Sequence, residues 1–348
     1  MTCYNPVPAV YNTREYAKTG KKNIILVVHQ DTEEKRNFTK AQYPEPLYKL
    51  IYIPCGKCAG CRSDNAKMWS LRAYNEMKMH DRNCFITLTY NEDNPLVASD
   101  PLCLVSLRYK HFQDFIKRLR KKLNYPELQY LVCGEYGTEN GRSHWHAILF
   151  GIDFSEIPED KELVYVSKGY KHYKSNLLQE CWSVYNREFK TYVPIGFVDL
   201  ADCDIDCCNY VAGYVLKKLP VGLSNPEVLP GVELVDRCPP MVRSSRRPAI
   251  GYKWYKEYGK NACEKGFQYV RTKNDKTCFK AKTPKYYYKK FELDYPDLFR
   301  NVKQKRDKKA EELAVKNPPN YEELARRELT HLEKIKRSIK RTIDKIRL

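Results

Sequence analysis

Along the chain, apolar residues recur every second position in some stretches and every third or fourth in others, and the changes of period mark the elements. Near the start, Ile24 to Val28 is one apolar run among polar, Pro-containing sequence and predicts a strand. Residues 64–80 carry Met68, Trp69, Leu71, Tyr74 and Met77 at helical spacing, CFITLTY at 84–90 alternates as a strand, and 91–95 reads as a loop. After Ser106, the spacing of Phe112, Phe115, Ile116, Leu119 and Leu123 predicts a helix whose other face carries Lys117, Arg118, Arg120, Lys121 and Lys122. Its apolar side must pack on a sheet, while its basic side is either a DNA contact or simply a solvated face. Leu128 to Cys133 and the strand within RSHWHAILF at 142–150 are close enough to pair as a hairpin around Asn140 and Gly141.

Residues 152–192 are polar and aromatic, with a helix expected around 177–185, and read as an insertion. GFVDLAD at 196–202 is another strand, and a helix bearing Tyr210 and Tyr214 follows it, ended by Pro220. This order predicts an α+β fold, an antiparallel sheet with helices on one face. Four regions are expected: an N-terminal segment, 1–50; a main domain, 51–220; a basic-aromatic region, 221–290, linker-like over 221–240; and a basic helical tail, 291–348. In the tail, Asn320 with Glu323 forms a capping box, and Leu332, Ile335, Ile339, Ile343 and Ile346 make a narrow apolar stripe.

Charge narrows the function. The chain of 348 residues carries a formal +19, with 62 Lys and Arg spread along its length, which suits a polyanion through release of phosphate counterions. A ribosomal or membrane-surface protein could share that charge. No apolar run reaches membrane-spanning length and no N-terminal signal peptide is evident, so a cytoplasmic protein without a membrane partner is expected. In a reducing compartment, grouped cysteines point to metal before disulfide. Cys55, Cys58 and Cys61 lie at two successive C-x2-C steps, which suits either a structural zinc or three reduced thiols in a tight turn ahead of a helix. A fourth ligand would come from Cys203, Cys207, Cys208 or a later thiol.

Candidate chemistry concentrates in two stretches. On a strand, His144 and His146 point the same way and together suit a metal, with Glu135 as the best third ligand and Glu139 a weaker one. On a helix, Tyr210 and Tyr214 share a face, with Lys217 and Lys218 one turn on. Arg243, Arg246 and Arg247 interleave with Tyr252, Trp254, Tyr255 and Tyr258, either a single-stranded DNA platform or a small aromatic core with a basic rim. There is no P-loop, so any helicase must come from elsewhere.

Taken together, RSHWHAILF, YVAGYVLKK at 210–218, CFITLTY and GEYG at 134–137 resemble the replication initiation proteins of gokushovirus-type microviruses, within the His-hydrophobic-His (HUH) endonucleases. The resemblance runs from IPCGKCAGCR at 53–62 to RRPAIG at 246–251, about half the chain. It implies an RRM-like or palm-like core and a rolling-circle initiator acting in the host bacterial cytoplasm on single-stranded phage origin DNA, with a host helicase and DNA polymerase. In the mechanism expected from these side chains, Mg²⁺ or Mn²⁺ held by His144, His146 and Glu135 polarises the scissile phosphate. Tyr210 or Tyr214 attacks it to give a 5′-phosphotyrosine and a free 3′-OH primer. Lys217 or Lys218 steadies the phosphate or the tyrosine, and the second tyrosine permits a new cleavage while the first is occupied. Two other classes compete: a relaxase or transposase of the same chemistry, and a noncatalytic zinc-stabilised nucleic-acid-binding protein.

Overall fold

The computed structural model describes residues 2–16, 22–26, 42–44, 47–94, 97, 102–137, 141–167, 169–213, 238–271, 278–316 and 320–346. The chain divides into two compact units, residues 1–64 with 305–338, and residues 65–304 with 339–348.

In the smaller unit, β1 (Val7–Tyr16) is the centre of a three-stranded antiparallel sheet, between β2 (Lys22–Leu26) and β3 (Tyr48–Ile53). The apolar run expected near residue 24 is thus an edge strand, and Ile24, Ile25 and Leu26 are exposed. Cys55, Cys58 and Cys61 lie in the turn and first residues of helix α1 (Ala59–Met77), which starts earlier than the apolar spacing alone predicts.

The larger unit is built on seven strands in the order β12-β5-β6-β4-β11-β8-β7, all pairings antiparallel. These are β4 (Asn83–Thr89), β5 (Gln129–Tyr136), β6 (Ser143–Phe150), β7 (Glu162–Ser167), β8 (Tyr170–Lys174), β11 (Val198–Asp202) and β12 (Met241–Ser244). Alternation along β6 divides the core between two faces. Trp145, Ala147 and Leu149 join Ile86 and Leu88 beneath helix α2 (Tyr109–Lys122), which buries Phe112, Phe115, Ile116 and Leu119 there. Ile148 and Phe150 face the other way with Phe85, Leu131 and Cys133, covered by Leu71 and Tyr74 of α1 and by Val211 of helix α4 (Ile205–Gly213). The mixed antiparallel architecture matches the sequence expectation. Helices cover both faces rather than one, because each face of β4, β5 and β6 carries its own apolar set.

The stretch 152–192 is partly integral to the sheet. β8 pairs with β11 and brings β7 with it, while helix α3 (Asn176–Cys181) packs Leu178 and Cys181 into the α2 side of the core. The helix expected over 177–185 stops at Cys181, since Ser183–Asn186 forms β9 in a hairpin with β10 (Thr191–Pro194). The basic face of α2 is partly structural: Arg118 donates to the Cys181 carbonyl at 2.9 Å, and Arg120 donates to the Leu128 carbonyl at 3.2 Å.

A second hairpin, β13 (Phe267–Arg271) with β14 (Cys278–Lys282), follows the helical turns of 252–265, here α5, and leads to α6 (Lys285–Asp294). Tyr255, Cys263, Tyr287, Tyr288 and Phe291 form an aromatic core between α5 and α6. The chain closes with α7 (Pro296–Lys316) and α8 (Tyr321–Ile346). The expected cap of α8 is present, with Glu323 N–H donating to Asn320 Oδ1 at 3.1 Å. In the apolar stripe Ile335 is buried, and the side chains of Ile339, Ile343 and Ile346 lie outside the described residues. Among the described residues, no helix is long and apolar enough to cross a membrane.

Phe115 is fully buried between α2, the sheet and Trp182. Phe115→Ala should therefore cost about 3–5 kcal/mol of stability in urea unfolding; a loss below about 0.5 kcal/mol would mean α2 does not pack as described.

Candidate active site

The site begins with the alternation of β6. Trp145 is fully buried in the α2-side core with its indole Nε1 3.4 Å from the Tyr90 hydroxyl, and this anchor obliges His144 and His146 to face the opposite side of the sheet. The antiparallel register then sets Glu135 of β5 directly across from His144, and Thr87 of β4 across from His146. Gly134 makes this register feasible, because a Cβ there would lie 2.6 Å from the Trp145 ring.

Tyr210 is delivered by α4. Asp204 caps that helix, its Oδ1 accepting from the N–H groups of Asp206 and Cys207 at 2.9 and 3.1 Å. The helix packs Cys207, Cys208 and Val211 on the sheet and turns Tyr210 toward the histidines. The Tyr210 hydroxyl donates to Glu135 Oε1 at 2.9 Å and lies 3.2 Å from His146 Nε2. Its ring meets that of His146 edge-on at 5.0 Å, and Phe85 stacks on the far side of His146.

Both imidazoles converge on one carboxylate oxygen. His144 Nε2 and His146 Nε2 lie 3.0 and 2.9 Å from the same Glu135 Oε1. The other ring nitrogens are engaged: His144 Nδ1 is 3.1 Å from the Arg142 carbonyl, which can only accept, and His146 Nδ1 is 3.0 Å from Thr87 Oγ1. A neutral imidazole that donates from Nδ1 presents its lone pair at Nε2. Two such lone pairs facing a carboxylate repel unless protons or a cation lie between them. The donor set therefore fits a metal ion, and Glu135, His144 and His146 could hold one.

Glu135 is 3% exposed and His146 6%, so this charge is almost fully desolvated. Burial alone would raise the Glu135 carboxyl, but hydrogen bonds from His144 and His146, and their charge when protonated, hold it well below its ordinary value.

Other sequence candidates fall elsewhere or outside the description. Tyr214, Lys217, Lys218 and Glu139 lie outside the described residues, as do Pro220 and most of the expected linker. Arg243 is exposed on β12, its guanidinium 5.9 Å from the Tyr109 ring, and Arg246 and Arg247 are exposed just beyond. Trp254 stacks on Tyr287 and packs beside Tyr258, half-buried in the aromatic core. The fourth thiol beside Cys55, Cys58 and Cys61 is Cys3, and not Cys203, Cys207 or Cys208. Cys207 and Cys208 are buried on α4, against the sheet of the other unit, with Cys203 packed beside them. Thr87 and Asp204 were the supporting residues missed from sequence. The alternation of CFITLTY already puts Thr87 on the histidine face, but its partner strand is not readable from spacing.

The comparisons with known proteins agree with this geometry. The chain is 32% identical over 322 residues to replication-associated protein VP4 of Bdellovibrio phage phiMH2K, covering 90% of this chain and 84% of that protein. It belongs to the family of microvirus replication-associated proteins. Replication-associated protein ORF2 of Spiroplasma virus 4 is 29% identical over 266 residues, 74% of each chain. Replication-associated protein ORF4 of Chlamydia phage 1 is 32% identical over 176 residues, 49% of this chain and 39% of that one. A family model for replication-associated proteins of the ORF2 type matches residues 83–219. That span holds Glu135, His144, His146 and Tyr210 and leaves out the cysteine turn. No solved structure matches the chain.

Two outcomes are expected. Thr87→Val, which removes the acceptor behind His146 but not a ligand, should weaken Mn²⁺ binding in calorimetry by about 10- to 100-fold; unchanged affinity would deny Thr87 that role. The second concerns acid. A carboxylate whose folded pKa lies below its ordinary value of 4.5 stabilises the fold above that pH and loses the contribution as pH falls through the folded pKa. In chelator-containing buffer, the urea midpoint of Glu135→Gln should therefore fall less than that of the wild type from neutral pH to about pH 3; parallel profiles would contradict the assignment.

Proposed function

We propose that the chain is a rolling-circle replication initiator that nicks and rejoins single-stranded DNA through a tyrosine. The observation that carries this reading is the Tyr210 hydroxyl, placed on the same carboxylate oxygen that both imidazoles face. A solvated pair of histidines, or a packing tyrosine, would not need to converge in this way. The names of the phage relatives support a role in replication of a phage genome.

In the proposed reaction Tyr210 Oη attacks the scissile phosphorus. A tyrosine of ordinary pKa about 10 is mostly protonated at neutral pH, so its proton must leave as the bond forms. Glu135 Oε1, which already accepts from that hydroxyl, and His146 Nε2 are the bases in reach. A Mg²⁺ or Mn²⁺ ion held by Glu135, His144 and His146 would supply positive charge to the phosphate oxygens as negative charge builds up. The tyrosine ends esterified to the 5′-phosphate, and the departing 3′-OH primes a host DNA polymerase. Attack by a 3′-OH on the phosphotyrosine reverses the step and reseals the strand without ATP.

Tyr214 follows one helical turn later in sequence and is the proposed second nucleophile, with Lys217 and Lys218 as phosphate contacts. Arg243, Arg246 and Arg247 are the proposed contacts to the DNA backbone, where exposed cations release counterions. The origin strand is opened by a host helicase, and the protein works in the host bacterial cytoplasm.

The test is cleavage of labelled single-stranded circular phage DNA in Mn²⁺. His146→Ala should lower cleavage on the order of 10³-fold or more while DNA affinity in filter binding stays within about threefold. Equal cleavage by wild type and variant, or no cleavage of any single-stranded DNA despite tight binding, would favour the noncatalytic binding protein.

A further inference from the structure

We propose that Cys3, Cys55, Cys58 and Cys61 form a closed zinc site that holds the smaller unit together. The four Sγ atoms lie within 4.8 Å of one another, and those of Cys3 and Cys58 are 3.8 Å apart. A disulfide needs about 2.05 Å, and all four are free thiols. A tetrahedral zinc with Zn–S bonds of about 2.3 Å has S–S edges of about 3.8 Å. Soft sulfur donors in this number select zinc or iron over the hard ions suited to the Glu135 site.

Backbone amides supply a second observation. Tyr4 N–H points at Cys58 Sγ at 3.3 Å, and Cys55 N–H at Cys3 Sγ at 3.3 Å. Lys57 and Cys58 direct their N–H groups at Cys55 Sγ at 3.4 and 3.3 Å, and Cys61 N–H lies 3.4 Å from Cys58 Sγ. Neutral thiols are weak acceptors, so amides gathered in this way answer the charge of thiolates, which four ligands to a divalent ion leave in excess. Gly56, at φ +76°, makes the turn that aims two of these amides back at Cys55. Gly60 admits the N-terminal segment, since a Cβ there would lie 1.6 Å from the Thr2 carbonyl oxygen.

The unit has little else to hold it. Its described apolar core amounts to Ala9, Val10, Tyr11 and Ala59 with Ile335 and the cysteines, while every residue of β3 is half-buried and β2 is exposed. Small units short of apolar burial use a metal as a staple, and four protein ligands leave no open position for chemistry. Cys3 ties the lead into β1 to the start of α1. From α8, Glu328 Oε1 accepts the Ala59 N–H at 2.8 Å and His331 packs edge-on against Tyr4. The staple thus lies where both ends of the chain meet, and its existence does not depend on the reaction at Tyr210.

The test measures metal in the full-length protein purified without added metal, by mass spectrometry of the elements. One zinc per chain is expected, retained in His144→Ala/His146→Ala and lost in Cys3→Ser/Cys58→Ser. Because that variant can unfold, apo wild-type protein is also titrated with Co²⁺, which should raise thiolate-to-cobalt charge-transfer and tetrahedral ligand-field bands that saturate at one ion per chain. Zinc removal should speed proteolysis within residues 1–64 before the larger unit is cut. Iron in place of zinc, zinc that leaves with the two histidines, or wild type that contains no zinc and gives no cobalt–thiolate band would overturn the proposal.

Discussion

The antiparallel register between β5 and β6 is the constraint on which the candidate site depends. It is held from the opposite face, where the Trp145 indole fills the core beneath α2 and Gly134 makes room for it. With Trp145 fixed, period-two alternation leaves the neighbouring histidines no other side, and a slip of one residue would bury both imidazoles among Phe112 and Leu88. Glu135 reaches them through the same ladder. The apolar residue between the two histidines is therefore as much a part of the site as the histidines are.

Electrostatics explains why this arrangement can be kept inside a fold. A carboxylate with almost no solvent is costly, and Glu135 recovers that cost through two imidazoles and a phenol. The same convergence leaves a point where bound positive charge is favourable, beside a hydroxyl that can act as a nucleophile. Thr87 and the Arg142 carbonyl, behind the rings, hold the imidazoles in the orientation that aims Nε2 at Glu135. Stability and chemistry make the same demand on these side chains, which is unusual for buried charge.

What was legible in the sequence followed from local period. The strand with His144 and His146, the hairpin that brings Glu135, the amphipathic α2 and the cap of α8 all rest on contacts between near neighbours in the chain. The misses required distant partners. Cys3 joins a turn more than fifty residues away, and nothing in C-x2-C spacing says that the missing thiol lies upstream. Helices cover both faces because β4, β5 and β6 are apolar on both, which brief runs such as CFITLTY do not reveal. Trp254 looked available to a base, yet Tyr287, from a helix far along the chain, stacks on its ring. The helix expected through 185 ended at 181 because Ser183–Asn186 found a strand partner in Thr191–Pro194.

The central claim is that the Tyr210 oxygen becomes bonded to the DNA. It is tested most directly by trapping the protein on single-stranded origin DNA in Mn²⁺, trimming the DNA with nuclease, digesting the protein, and reading the modified peptide by mass spectrometry. The account predicts a nucleotide joined through its 5′-phosphate to Tyr210, with Tyr214 modified in addition or when Tyr210 is replaced by Phe. An adduct on a tyrosine outside this helix, or one attached through a 3′-phosphate, would contradict it.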